Sequence, residues 1–230
     1  MNSQSIKNLL QKVPLFKDLT DYEMEPIVEL AKFRMYRHGT HIFMQGDPLT
    51  NVYFIHEGKV KIYKSDSHGR EQIVNFLQTD DMFPHAGFFR QDNYPANASI
   101  LEDAVLIYIP IHSFEDFLYT HPEICVKLFR VLGDKLVDLQ KRLEEKMLYN
   151  TYEQIIMLLL RLSKEYGVKY ENQQTRIATQ FTNRQLANMI GSTRETVSRT
   201  VSQLKKQNLL RIDSLGCFIL DTDGMKNELF

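Results

Sequence analysis

The stretch from Phe181 to Arg211, FTNRQLANMIGSTRETVSRTVSQLKKQNLLR, constrains this chain more tightly than any other part of it. Thr182 with Gln185, and Ser192 with Glu195, have the spacing of a capping box, in which two side chains satisfy backbone N–H groups that a first helical turn leaves free. Gly191 lies between the two predicted helices, where the chain must turn sharply at low steric cost. This is the pattern of a helix-turn-helix, whose second helix enters the DNA major groove. That second helix carries Arg194, Glu195, Ser198 and Arg199 within its first two turns. An arginine grips guanine O6 and N7 together, and a glutamate accepts from cytosine N4. Arg184, Arg194, Arg199, Lys205, Lys206 and Arg211 outnumber the lone acid Glu195, so a basic patch is expected here.

That basic charge is local. The 230 residues carry a formal net charge of −1, so bulk charge announces no nucleic-acid partner and only the patch does. Hydrophobic residues at 43% and charged residues at 25% place the chain among globular proteins, with room for one large domain or two ordinary ones. Two cysteines, Cys125 and Cys217, are too few for a disulfide scaffold or a four-cysteine metal site. No N-terminal signal-peptide pattern and no apolar run of membrane-spanning length is present, so a cytoplasmic protein with no membrane partner is expected.

Asn2 to Leu30 reads as amphipathic helix, broken by Pro14 and Pro26, with Thr20 or Asp21 as a cap. From Phe33 to Ile109 the period becomes strand-like, with turns at Gly46-Asp47-Pro48, Glu57-Gly58-Lys59 and Ser67-His68-Gly69. Many short strands with frequent turns suggest a sandwich or jelly-roll barrel. From His121 to Asn150 the pattern is helical again, and Leu132, Leu136, Leu139 and Leu143 recur at alternating spacings of four and three. This is an apolar seam of coiled-coil type and predicts a parallel dimer helix, the alternative being a helix packed on its own barrel. A dimer suits a helix-turn-helix protein, whose operators are commonly two-fold symmetric. Thr151 to Tyr166 reads as a buried helix ended by Gly167, Arg176 to Phe181 as a short strand, and Leu209 to Leu220 as a two-stranded wing turning at Asp213 to Gly216.

The order β-rich domain, long dimer helix, winged helix-turn-helix resembles the Crp/Fnr family of bacterial transcription regulators, from about Pro14 to Gly224. Gly39-Thr-His-Ile-Phe-Met-Gln-Gly46-Asp47 looks like the family's G-x-x-I-x-x-x-G-D, Val52 to Val60 looks like its Y-x-I-x-x-G-x-V, and Gly69-Arg70-Glu71 looks like the hairpin that follows. Most specific is Arg194-Glu195-Thr196-Val197-Ser198-Arg199, which matches R-E-T-V-x-R. The resemblance implies an α+β chain: a cyclic-nucleotide-binding-like jelly-roll barrel over 1–120, a dimerisation helix over 121–149 and a winged helix-turn-helix over 150–230. It implies a homodimer on a palindromic TGTGA-N6-TCACA-like operator, read by Arg194, Glu195, Ser198 and Arg199, with RNA polymerase a further partner if the protein activates. Thr182, Arg184, Thr193, Lys205 and Lys206 are candidates for phosphate contacts, which position a protein on DNA without specifying sequence. For Lys205 and Lys206 a solvated helix face is the competing reading. In general character the chain is similar to Gram-positive members that control anaerobic arginine catabolism.

The effector pocket departs from the cAMP-binding members. Their cassette runs F-G-E-L and ends with an Arg-Ser pair, which neutralises and cradles the cyclic phosphate. Here Pro84 stands at the Gly position, His85 at the Glu, and Ala96 and Asn97 at the Arg and Ser, the nearest arginine being Arg90 in the loop. Leu139 and Gln140 align with the Thr-Ser pair that contacts adenine. Each lost charged hydrogen bond removes roughly 1.5–3 kcal/mol, so cAMP is not expected to bind tightly. Phe83, Phe88, Phe89 and Tyr94 are expected to fill the pocket instead.

No cofactor is expected. The first 124 residues lack the cysteine cluster of the iron–sulfur branch, and His38, His41, His56 and His68 read as loop or strand-end histidines, not haem ligands. The alternatives are a regulator gated by a cyclic nucleotide or other small ligand in a changed mode, or one that responds to redox through Cys125 or Cys217. No G-x-S-x-G, phosphate loop, H-E-x-x-H or paired carboxylates suggest an enzyme.

Overall fold

The computed structural model describes residues 3–13, 15–17, 19–89 and 93–229. Pro14 and Arg90, singled out above, lie outside the described residues. The chain divides into two compact units, Met1–Leu136 and Val137–Phe230.

The first unit opens with helices α1 (Ser3–Leu10) and α2 (Asp21–Leu30). Thr20 caps α2 through a complete capping box with Glu23, and Pro26 sits inside this helix instead of ending it, which corrects the reading of Pro26 as a break. The strands follow: β1 (Lys32–Tyr36), β2 (His41–Phe43), β3 (Asn51–Ser65), β4 (Glu71–Leu77), β5 (Met82–Phe83) and β6 (Asn97–Pro110). All pair antiparallel, in the order β1-β6-β3-β4, with β2 added to β6 and β5 to β3. Helix α3 (Ile111–Thr120) follows, and α4 (Pro122–Leu148) runs on past the unit's end.

Glu57-Gly58-Lys59 is not a turn. β3 passes straight through it, and its register against β6 shifts on both sides of Gly58. Gly58 has φ +86, and a Cβ there would collide with the Asp103 carbonyl and Ala104. The glycine therefore marks a bulge where two backbones approach closely, not a reversal.

Side-chain alternation along β3 separates two apolar layers. Val52 and Phe54 point toward the helices, where they join Leu10, Phe16, Met24, Ile27, Phe114, Leu118 and Ile124. Tyr53 and Ile55 point into the barrel, with Phe43, Leu77, Phe83, Tyr94 and Leu106.

In the second unit, Asn150 and Glu153 form a capping box that starts α5 (Thr151–Tyr166), as the sequence period predicts. Then come β7 (Gly167–Lys169), β8 (Thr175–Ile177), α6 (Asn183–Ile190), α7 (Arg194–Lys206), β9 (Leu210–Ile212), β10 (Phe218–Leu220) and α8 (Thr222–Asn227). The four strands form one antiparallel sheet in the order β7-β8-β10-β9. The wing expected between Leu209 and Leu220 is its β9–β10 hairpin; β7 has no sequence signal beyond Val168.

Candidate nucleic-acid interface

Helix α6 begins at the expected capping box. The Gln185 N–H donates to the Thr182 hydroxyl at 3.2 Å, and the Thr182 N–H donates to the Gln185 side chain at 2.8 Å. Gly191 ends the helix in the left-handed conformation, φ 63 and ψ 43, which costs glycine little and other residues more.

The second expected box is shifted by one residue. The N-cap of α7 is Thr193, not Ser192, and its hydroxyl accepts from the Thr196 N–H at 3.2 Å and pairs with the Thr196 hydroxyl at 2.9 Å. With Thr196 three residues on, no long acceptor reaches back, so Glu195 is released from capping. Both hydroxyls proposed for phosphate contact, Thr182 and Thr193, thus also serve as helix caps.

Val197, Thr200, Val201 and Leu204 form the buried stripe of α7. The opposite face presents Arg194, Glu195, Ser198 and Arg199 together with Ser202, Gln203 and Lys206, lining an open concave strip of about 730 Å³. All four sequence-expected base readers are therefore on one face. Ser202 and Gln203 join them unannounced, although their distance from Ser198 and Arg199, one helical turn, could have shown it. The Ser202 hydroxyl is turned back onto the Ser198 carbonyl at 2.9 Å. Lys205 and Lys206 part company: Lys206 lies on the strip, whereas Lys205 lines a separate depression with Gln174 and Arg211. Arg211 is itself engaged, donating to Gln174 at 2.8 Å and lying over the Tyr170 ring. Arg184 is exposed in the first turn of α6.

The wing turn is built on Asp213. Its carboxylate accepts from the Cys217 N–H at 2.8 Å, the Leu215 N–H at 2.9 Å and the Arg176 guanidinium at 2.6 Å. The Cys217 N–H foremost, with Arg176, holds this carboxyl below the usual carboxylate range. Cys217 is only 5% exposed, which shields its thiol from oxidants in solution, and Cys125 is half-buried with its thiol directed at the Leu118 carbonyl.

On α4 the expected seam is redrawn. Leu136, Leu139 and Leu143 are exposed, but Leu132 is partly buried against the core of the first unit. This corrects its place in the seam: at Leu132 the helix is still covered by the first unit's own helical apolar layer, whereas at Leu136, Leu139 and Leu143 it is not. The exposed apolar stripe instead runs Val126, Phe129, Leu136, Leu143 and Met147, with Gly133 and Gln140 completing spacings of three and four.

The barrel interior is occupied by rings. Phe43 and Tyr94 stack at 3.6 Å between centroids with planes 5° apart, and Tyr53 stacks on Phe83 at 5.2 Å. The Tyr94 hydroxyl accepts from the Asn51 N–H at 3.1 Å and is within 3.2 Å of the Asn51 carbonyl, which locks the ring in place. Asn97 is buried, and its side-chain oxygen accepts from the Gln45 N–H at 2.8 Å. Pro84 and Ala96 are buried too. Phe83 and Tyr94 fill the barrel as expected. Phe88 does not: it packs on Phe114 in the helical layer, while Phe89 is 48% exposed and leans on Tyr119.

His85 is a half-buried titratable group in this unit. Burial, and then the Lys135 charge, push its pKa from 6.5 down to about 4. The unfolded imidazole binds a proton that the folded one refuses, so this contribution to stability is complete above pH 6.5 and is lost as pH falls toward 4. Asp81, its carboxyl raised by burial, acts oppositely at the acid end and is common to wild type and variant. His85→Gln should therefore flatten the fall in unfolding free energy between pH 6.5 and 4.5, measured by urea titration, whereas parallel curves would assign the acid sensitivity elsewhere.

Comparison with known proteins agrees with this geometry. Residues 33–121 match the family model of the cyclic nucleotide-binding domain, and residues 153–228 match that of the Crp-like helix-turn-helix domain. The chain is 26% identical over 216 residues to the anaerobic regulatory protein of Bacillus subtilis, covering 93% of this chain and 90% of that one. It is 24% identical over 187 residues to the CRP-like cAMP-activated global transcriptional regulator of Mycobacterium tuberculosis, covering 81% and 83%. Among solved structures, FixK2 from Bradyrhizobium japonicum superposes with a TM-score of 0.75 at 24% identity, over 86% of this chain and 96% of that one. Among the described residues, no helix is long and apolar enough to cross a membrane.

Proposed function

This chain belongs to the Crp/Fnr family of DNA-binding transcription regulators, and we propose that it acts as a homodimer on a TGTGA-N6-TCACA-like operator without needing cAMP. The observation that carries the reading is the exposed face of α7, where Arg194, Glu195, Ser198 and Arg199 stand together over a fully buried apolar stripe. Arg194 and Arg199 take guanines, Glu195 takes a cytosine on the opposite strand, and Ser198 adjusts the preference between related half-sites. Arg184 and Lys206 contribute phosphate contacts that hold the register. The heptad-spaced stripe on α4 supports dimerisation, and two copies place their reading helices in half-sites roughly 34 Å apart. Where the dimer activates, RNA polymerase is its second partner.

Independence from cAMP is supported by the barrel. A cyclic phosphate needs a cation and free N–H donors, whereas Pro84 offers no N–H, Ala96 no charge, and Asn97 has its oxygen committed to Gln45. The stacked pairs Phe43–Tyr94 and Tyr53–Phe83 occupy the interior. Fluorescence anisotropy on a labelled TGTGA-N6-TCACA duplex, with a scrambled control and stated salt, tests both parts. Specific binding is expected, with an affinity unchanged by millimolar cAMP. Binding only in the presence of cAMP would overturn the reading of the barrel, and equal affinity for both duplexes would overturn the operator.

A further inference from the structure

Among the described contacts of the second unit, Lys146 pairs with no acid and lies off the strip on α7. Lys146, in the last turn of α4, donates from Nζ to the Ile190 carbonyl at 3.0 Å. Ile190 is the final residue of α6, the helix that leads into the turn. The last carbonyls of a helix have no partner within it, and a cation there is favoured by the helix dipole. α6 has no basic residue of its own in its last turn, and Gly191 and Ser192 both send their N–H groups to Ala187 instead. Lys146 thus supplies from another helix what α6 lacks.

Its own position is held from two sides. Glu145, the residue before it, pairs both carboxylate oxygens with Arg161 of α5, at 2.9 and 3.1 Å. Gln154, buried on α5, takes Lys146 on its side-chain oxygen at 3.5 Å and donates its amide to the Tyr149 carbonyl at 2.6 Å. The end of α4, the α4–α5 junction and the turn between α6 and α7 are therefore joined by one polar network.

We propose that Lys146 is a positioning residue for DNA reading: by holding the Ile190 carbonyl it sets where the turn, and hence α7, stands. This rests on the reading of α7 as the recognition helix. Bidentate contacts from Arg194 and Arg199 tolerate little displacement, because hydrogen bonds weaken steeply once misaligned. A lysine acting through the turn affects only contacts that need exact register, and leaves the count of neutralised phosphates unchanged.

The test is anisotropy of full-length wild type, Lys146→Met and Lys146→Arg on the operator and scrambled duplexes, each at several salt concentrations. Thermal melting of the same samples reports the fold. The expected result for Lys146→Met is about a ten-fold loss of operator affinity, with unchanged affinity for the scrambled duplex, an unchanged salt slope and an unaltered melt. Lys146→Arg, which keeps a cation within reach of the carbonyl, should bind the operator within about two-fold of wild type. A fall in the salt slope by about one, with both duplexes weakened alike, would make Lys146 a phosphate contact and overturn the proposal. Wild-type operator affinity in Lys146→Met would overturn it too, as would an arginine variant as weak as the methionine one. If wild type itself fails to prefer the operator, the recognition-helix reading fails instead, and that outcome is seen before any variant is compared.

Discussion

Replacing Arg194 and Arg199 together with alanine should abolish the preference for the operator while leaving a folded protein that still binds DNA weakly. Each good bidentate base contact is worth roughly 1–3 kcal/mol, so losing two lowers specific affinity by about 30-fold to 10⁴-fold. The fold should be indifferent to the change. Both side chains line the open strip, and the residues that seat α7, Val197, Val201 and Leu204, lie on its other face and are untouched. Neither arginine caps the helix, since Thr193 does that through Thr196. Anisotropy on operator and scrambled duplexes gives the ratio directly. A double variant that keeps the wild-type ratio would show that α7 does not read bases. Glu195→Ala is the finer probe, because it removes one acceptor and should relax the choice at a single base pair.

The second large effect is on assembly. Leu136→Glu combined with Leu143→Glu should leave the protein monomeric at micromolar concentration and weaken operator binding at least 100-fold. The two leucines are 59% and 61% exposed in the single chain, one heptad apart on α4, with Phe129 and Met147 continuing the line at 72% and 75%. Burying one such side chain contributes roughly 1.5–3 kcal/mol, and a dimer buries each twice. Four carboxylates along a two-fold seam add repulsion to that loss. Because neither leucine is buried within its own chain, the monomer should stay folded, and sedimentation velocity with circular dichroism separates the two effects. A variant that still sediments as a dimer would move the interface off α4. Leu132 makes the contrast. It packs against the first unit's core, so shortening it should lower that unit's melting point and leave the oligomeric state alone.

The difference between Leu132 and Leu136 shows how far periodicity reaches. A spacing of four and three says that residues share a helix face, but a helix with apolar residues on two sides has two faces to cover. Which one meets the barrel depends on where α3 and the strands stand, and that is set by contacts far away in sequence. The same limit explains Gly58. Glycine between two charged residues has the composition of a turn, yet the backbone of β6 at Asp103 and Ala104 crosses it so closely that no side chain fits. Turn and bulge make the same demand on the residue and differ only in the partner strand. Phe88 and Phe89 are adjacent and chemically identical, and only the packing of α3 sends one inward and leaves the other exposed.

What the sequence determined by itself is local: the caps at Thr20 and Thr182, the left-handed Gly191, the helix from Thr151 to Tyr166, and the shared face of α7 on which the four expected base readers stand. Each depends on chemistry within one or two helical turns, where spacing along the chain and separation in space are nearly the same quantity. What only the tertiary structure decided is which apolar side chains are spent on the chain's own core and which are left for a partner. It also decided which of the expected rings fill the barrel, and that a lysine at the end of one helix completes the carbonyl end of another. Those depend on contacts between residues tens of positions apart, whose pairing is set by the whole fold's competition for buried surface and hydrogen-bond partners, and no short stretch of sequence carries it.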